Sequence, residues 1–91
     1  MLVKREVRLS EKQSLHLLPA SRFADVANTF ASKIVVTKDG RVADGKSPLD
    51  LVTLEAGPGA RIDISVEGDD AEEALSALVD LVKGQLMHRR A

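Results

Sequence analysis

The segment Ser14-Leu15-His16-Leu17-Leu18-Pro19-Ala20 marks the point where the sequence changes from a polar loop to a helix. A proline three residues after the histidine suits the first turn of a helix, where its missing N–H would have no partner anyway. His16 would then lie beside the free backbone N–H groups of a helix N-terminus, which attract anions such as phosphate. The segment therefore predicts both the start of a helix and a histidine beside an anion site.

The residues on either side of this segment have two different periodicities. After it, apolar side chains recur at i, i+3, i+4 and i+7, which predicts a helix from roughly 17 to 29; these residues are Phe23, Val26, Ala27 and Phe30. Before it, apolar and charged side chains alternate, which predicts a strand whose inner face is interrupted by Arg5; the apolar residues are Val3, Val7 and Leu9.

The middle of the chain predicts a hairpin followed by a short helix. Lys33 to Lys38 is rich in β-branched residues, Asp39-Gly40 is a strong turn signal, and Arg41-Val42-Ala43 is a suitable return strand. Ser47-Pro48 then resembles an N-cap followed by the first residue of a helix. The short helix contains Pro48, Leu49, Leu51, Val52 and Leu54, and Gly57-Pro58-Gly59 follows it.

The last third predicts one more strand and one more helix. Residues alternate cleanly from Arg61 to Val66, and Gly68-Asp69-Asp70 ends the strand and supplies an aspartate as helix cap. The helix has an apolar stripe of Ala71, Ala74, Leu75, Leu78 and Val82. The order βαββαβα, with one apolar face on each helix, predicts an α+β fold. We expect one domain over 1–91, a four-stranded antiparallel sheet with three helices on one face.

Composition excludes several classes of function. The 91 residues carry a formal net charge of −1 and contain no cysteine, no tryptophan and no tyrosine. General nucleic-acid binding needs a surplus of positive charge and stacking aromatics, so we do not expect it. No apolar run reaches the roughly 20 residues that cross a bilayer, so we expect no membrane insertion and a cytoplasmic protein. His16 and His88 lack ligand spacing, so neither a metal nor another cofactor is predicted.

The order and spacing of several motifs resemble the HPr family, the histidine-containing phosphocarriers of the bacterial sugar phosphotransferase system. The resemblance covers roughly residues 3 to 86. The motifs that carry it are His16 with Pro19-Ala20, Phe30-Ala31-Ser32-Lys33-Ile34, Lys46-Ser47, Gly57 with Gly59, and Gly68-Asp69-Asp70-Ala71.

This resemblance implies an open-faced β-sandwich and a role in group transfer. His16 would accept a phosphoryl group from enzyme I, which is charged by phosphoenolpyruvate, and pass it to the A domains of sugar permeases. The backbone N–H groups of Leu17 and Leu18 would help to hold the phosphoryl group. The protein would be a monomeric intermediate in the transfer rather than a free-standing enzyme. Ser47 falls where some relatives carry a serine phosphorylated by a kinase, which would be a further partner.

Two positions depart from the family motif, which has glycine two residues before the histidine and arginine two residues after it. Ser14 and Leu18 occupy these positions here. A guanidinium beside a phosphorylated imidazole supplies a charge-assisted contact worth about 1.5–3 kcal/mol. Loss of that contact would slow transfer by one to two orders of magnitude without abolishing it. Leu18 therefore supports an alternative: an HPr-like regulatory or protein-binding module with weakened or lost phosphotransfer.

Each candidate residue also has a structural interpretation. His16 could be a surface or capping residue without chemistry, His88 a solvent-exposed residue, and Ser47 only a helix cap. Arg22, one turn after Leu18, is a candidate for the missing charge. An exposed patch for partner binding is predicted around His16, although some of its members could belong to the core; the candidates are Leu17, Leu18, Pro48, Leu49 and Leu51.

Overall fold

Strands and helices follow one another in the predicted order in the computed structural model, which describes residues 1–84. His88 lies outside the described residues. The strands are β1 (Leu2–Arg8), β2 (Lys33–Lys38), β3 (Arg41–Asp44) and β4 (Arg61–Glu67), and the helices are α1 (Leu17–Ala27), α2 (Pro48–Val52) and α3 (Ala71–Lys83). The predicted α+β class is confirmed.

The sheet is antiparallel throughout, and its strand order is β1-β4-β2-β3. β4 lies between β1 and β2, so the strand with the clearest alternation is an inner strand. Ile62, Ile64 and Val66 are each at most 1% exposed and form part of the core. Phe23 of α1 and Leu78 of α3 are fully buried in the same core, between the helices and the sheet.

Both α1 and α2 end earlier than their sequence patterns predict. α1 ends at Ala27 rather than 29, because the N–H groups of Thr29 and Phe30 donate to carbonyls three residues back, at 3.0 and 3.2 Å. These tight turns replace the i→i+4 bonds of an α-helix. Leu54 continues α2 in the same manner, through a bond of its N–H to the Leu51 carbonyl.

The start of α2 agrees with its prediction. Ser47 is the N-cap, Pro48 is the first helical residue, and the Ser47 hydroxyl accepts a hydrogen bond from the Asp50 N–H at 3.2 Å. Leu51 is 0% exposed. The prediction that Leu51 could belong to an exposed patch was therefore wrong, because the short helix turns this side chain into the core.

Asp70 joins the start of α3 to the start of β2. It occupies the N-cap position of α3, so the prediction of an aspartate as helix cap is confirmed, although its carboxylate makes no cap hydrogen bond. The carboxylate instead accepts hydrogen bonds from the Ala31 N–H at 2.8 Å, the Ser32 N–H at 2.9 Å and the Ser32 hydroxyl. Gly68, with φ of 149°, packs so closely on Ser32 that a Cβ there would collide with it. This junction connects two segments that are distant in the sequence.

We expect the substitution Asp70→Asn to destabilise the protein in a pH-dependent manner. Hydrogen bonds from the Ser32 hydroxyl and then the Ala31 N–H hold the pKa of Asp70 below its ordinary value of 3.8. A carboxyl whose pKa is depressed by folding stabilises the folded state above its unfolded pKa, and this contribution is lost as the pH falls through the folded value. Urea unfolding should therefore give a difference between wild type and variant that is full at neutral pH and shrinks below about pH 4.

Asp69→Asn is the matched control for this experiment. Asp69 is the exposed neighbour of Asp70 and makes no side-chain hydrogen bond within residues 1–84. Its substitution should leave the free energy of unfolding nearly unchanged at every pH. Equal losses from the two variants would contradict the assigned role of Asp70.

The cap of α2 makes a second prediction about stability. Ser47→Ala removes the oxygen that accepts the Asp50 N–H, so the free energy of unfolding should fall by about 1 kcal/mol. Urea titration followed by circular dichroism measures this change. Ser76→Ala, at an exposed position inside α3, is the control and should cause no loss. If the urea midpoint of Ser47→Ala equals that of the wild type, the cap contributes nothing to the stability of the protein.

Candidate functional site

His16 is the N-cap residue of α1, and its side chain is exposed. The backbone there is extended, with φ of −77° and ψ of −173°, and the imidazole makes no capping hydrogen bond. Within residues 1–84, the N–H groups of Leu17 and Leu18 have no acceptor, whereas the Ala20 N–H donates to the His16 carbonyl at 2.9 Å. The imidazole therefore stands at the positive end of a helix beside two free donors.

The loop before His16 is held by two buried contacts. The Leu15 N–H donates to the Ala56 carbonyl at 2.8 Å, and Leu15 itself is 1% exposed. Gln13 is 3% exposed, and its side-chain amide donates to the Val82 carbonyl at 2.7 Å. These contacts position His16 relative to α3 and to the turn after α2. Gln13 is not predicted as a site residue, because no local sequence signal distinguishes a glutamine that will be buried from the other residues of a polar loop.

An open cavity of about 240 Å³ adjoins the imidazole. The volume is large enough for a small anion, and neither Leu17 nor Leu18 is among the residues that line the cavity. Its lining residues are Ser14, Leu15, His16, Val52, Glu55, Ala56 and Gly57. Arg22 is not among them, and its Nε is buried without a hydrogen-bond partner in the described part of the chain. The structure therefore does not bring this arginine into the wall of the cavity.

Glu55 is the acidic residue in the cavity wall. Its φ of 53° is unusual for a residue other than glycine, and its Oε1 lies 3.5 Å from Nη1 of Arg41. Glu55 is not predicted from the sequence, since only the tertiary contact between Leu15 and Ala56 brings this turn to His16. No local signal distinguishes it from other acidic surface residues.

Three of the leucines predicted for partner binding are exposed. The exposed fractions are 57% for Leu17, 46% for Leu18 and 73% for Leu49. Pro48 is half-buried. α1 and α2 pack against each other, and the Asn28 side-chain amide of the α1 C-cap donates to the Lys46 carbonyl before α2 at 3.0 Å. Exposed apolar side chains therefore lie on two neighbouring helices, on α1 directly beside His16.

Ser47 is half-buried, and its hydroxyl is engaged as the cap of α2. Within residues 1–84, no group of three or more histidine, aspartate or glutamate side chains is arranged to hold a metal ion. No helix in that part of the chain has both the length and the apolar character needed to cross a membrane.

Comparison with known proteins identifies the family. Residues 3–84 match the family model described as the PTS HPr component phosphorylation site. The phosphocarrier protein HPr of Borreliella burgdorferi is 38% identical over 82 residues, which cover 90% of this chain and 95% of that protein. The HPr-like protein Crh of Halalkalibacterium halodurans is 35% identical over 82 residues, with coverage of 90% and 98%. Relatives of both kinds therefore match this chain.

Solved structures agree with this result. HPr-C-His of Thermoanaerobacter tengcongensis superposes with a TM-score of 0.89 at 34% identity, covering 97% of this chain and 99% of that one. Crh of Bacillus subtilis, described as a dimer with a swapping domain, has a TM-score of 0.74 at 30% identity, with coverage of 94% and 99%. The open-faced sandwich expected from the sequence is confirmed, and the chain belongs to the HPr family of the phosphotransferase system.

Proposed function

We propose that this protein is a cytoplasmic phosphocarrier in which His16 accepts a phosphoryl group and passes it on. The observation that carries the proposal is the exposed imidazole at the N-terminus of α1, beside two N–H groups that lack acceptors within residues 1–84. A neutral imidazole offers a nitrogen lone pair as nucleophile. The free N–H groups of Leu17 and Leu18 are suited to the phosphoryl oxygens.

When His16 is loaded, one bond to phosphorus breaks and another forms. The P–O bond of phosphoenolpyruvate breaks, enzyme I relays the phosphoryl group, and a P–N bond forms at the imidazole. The enolate takes up a proton and leaves as pyruvate. Because the group must be handed between proteins, exposure of His16 is a requirement of the reaction. The protein is then a carrier that is consumed and regenerated, with enzyme I and a permease A domain as its proposed partners.

The exposed leucines beside His16 support docking of those partners. Leu17 and Leu18 present apolar surface next to the histidine that must be reached, and Leu49 adds apolar surface on the neighbouring helix α2. Burial of such surface contributes about 25 cal/mol per Å², which suits a transient interface between carrier and partner. We propose a monomer as the transferring species, with Leu17, Leu18, Pro48 and Leu49 in the docking surface.

Ser47 is a proposed regulatory site for a serine kinase. A phosphate on its oxygen would lie beside the N-terminus of α2, which tolerates negative charge. The same oxygen now accepts the Asp50 N–H, so modification would have to preserve or replace this cap.

Phosphoryl labelling tests the phosphocarrier directly. Incubation with phosphoenolpyruvate and a cognate enzyme I should add the mass of one acid-labile phosphoryl group, as measured by intact mass spectrometry. His16→Ala should abolish the label because it removes the nucleophile. His88→Ala, which removes the other histidine of the chain, is the control and should retain the label. Absence of label from the wild-type protein would refute the proposed function.

Leu18 and the similarity to Crh favour a second candidate function, an HPr-like regulatory or binding module with weak phosphotransfer. The substitution Leu18→Arg distinguishes the two. For a phosphocarrier it should restore a charge-assisted contact and raise the rate of transfer by about ten- to a hundredfold. For a binding module, the same substitution should weaken the binding of a partner that the immobilised protein captures, and so should Leu49→Ala. His16→Ala should leave that binding unchanged. Titration calorimetry with that partner and stopped-flow transfer assays measure the two outcomes.

A further inference from the structure

The turn between α2 and β4 holds an acidic residue beside the candidate phosphoryl site. Glu55 lines the same cavity as His16 and has a φ of 53°. Its neighbours Leu54 and Ala56 are 0% and 2% exposed, and the Ala56 carbonyl accepts the Leu15 N–H at 2.8 Å. The turn cannot rotate away without breaking this bond and exposing core residues. The backbone of Glu55 is therefore fixed relative to His16.

Arg41 balances the charge of Glu55 only in part. Its Nη1 lies 3.5 Å from Oε1 of Glu55 and donates to the Thr53 carbonyl at 3.1 Å. The side chains of Arg41 and Glu55 are 59% and 76% exposed, so water and salt screen the pair strongly. Arg41 does not line the cavity, whereas Glu55 does. Glu55 therefore brings a negative charge to the edge of the cavity, and Arg41, the cation that pairs with it, is not among the residues that line the cavity.

We propose that Glu55 sets the phosphoryl-transfer potential of this carrier by destabilising the phosphorylated form of His16 relative to the free form. The inference rests on the proposed function, because it concerns the charge that His16 acquires. A phosphoryl group adds negative charge at the imidazole, and the carboxylate of Glu55, which is carried on a backbone held beside the same cavity, repels it. With Leu18 in place of a cation, the first turn of α1 offers no side-chain charge to offset that repulsion. The phosphoryl group is then released more readily to an acceptor, and Arg41 moderates the effect.

The equilibrium with phosphoenolpyruvate measures this potential. At a fixed ratio of phosphoenolpyruvate to pyruvate, with enzyme I as catalyst and low salt, the ratio of phosphorylated to free protein should rise about two- to fivefold in Glu55→Gln, as expected for like charges that interact mainly through water. Arg41→Gln should lower the ratio, because it leaves the carboxylate unbalanced. The double variant should resemble Glu55→Gln, since Arg41 acts through Glu55. High salt should reduce all of these differences.

Asp39→Asn is the matched control. Asp39 also has a left-handed backbone, with φ of 49°, and its carboxylate also pairs with a cation, Lys38, at 3.3 Å. It lies in the turn between β2 and β3 and does not line the His16 cavity. Its substitution should leave the ratio of phosphorylated to free protein unchanged. A rise equal to that of Glu55→Gln would reveal a general effect of net charge and overturn the inference.

The two proposals fail in different ways. If wild type is labelled but Glu55→Gln and Arg41→Gln match it in the equilibrium ratio, the phosphocarrier stands and the role of Glu55 falls. If enzyme I does not label the wild type, the proposed function falls, and phosphoramidate serves as a donor that needs no partner. The P–N bond of phosphoramidate breaks, a new P–N bond forms at His16, and ammonia leaves. In a His88→Gln background, a higher phosphorylated fraction for Glu55→Gln at a fixed phosphoramidate-to-ammonia ratio supports the inference, and equal fractions overturn it.

Discussion

The hydrogen bond from the Leu15 N–H to the Ala56 carbonyl, 2.8 Å long, is the constraint on which the candidate site depends. It joins the loop before α1 to the turn after α2, and both residues are at most 2% exposed. Breaking it would leave a buried donor and a buried acceptor without partners, at a cost of about 1–3 kcal/mol for each. The bond therefore holds the backbone next to His16 and the wall of its cavity together. The second tie, from Gln13 to Val82, extends this control to α3.

The same arrangement suits the proposed role of His16 as a phosphoryl acceptor. The backbone around His16 is anchored in the core, whereas the imidazole and the side chains of Leu17 and Leu18 are exposed. A carrier that meets several partners needs this combination, because the acceptor must be accessible and its surroundings must not require reorganisation. Where the family motif has a cation beside the histidine, this chain has an apolar side chain, and the cavity wall adds the carboxylate of Glu55. The electrostatics of the site thus depart from the motif while the fold is retained.

The matches to both HPr and Crh proteins have a physical counterpart in this surface. Fold and backbone donors are shared by a carrier and a binding module, because both depend on the core. In this chain, the two proposed roles differ in what they require of the exposed side chains around the histidine, of which Leu18 is the clearest. Similarity across the whole chain therefore identifies the family, and the proposed roles are decided by chemistry at single exposed positions.

Local pattern was sufficient for most of the fold and for part of the site. Alternation in β4 and the Ser47-Pro48 start of α2 were predicted correctly because each depends on neighbouring residues. The position of His16 at the start of α1 follows from the same kind of signal. The helix ends were placed too late, since tight turns at Phe30 and Leu54 still carry apolar side chains that continue the helical pattern.

Sequence alone thus determined the element types, their order and the histidine at a helix N-terminus, because these follow from periodicity and capping within a few residues. Only the tertiary structure decided that the Asp70 carboxylate binds Ser32 rather than its own helix, that Leu51 is buried, and that Glu55 adjoins His16. These contacts join residues far apart in the chain. Their partners are chosen by sheet pairing and core packing, which no local pattern encodes.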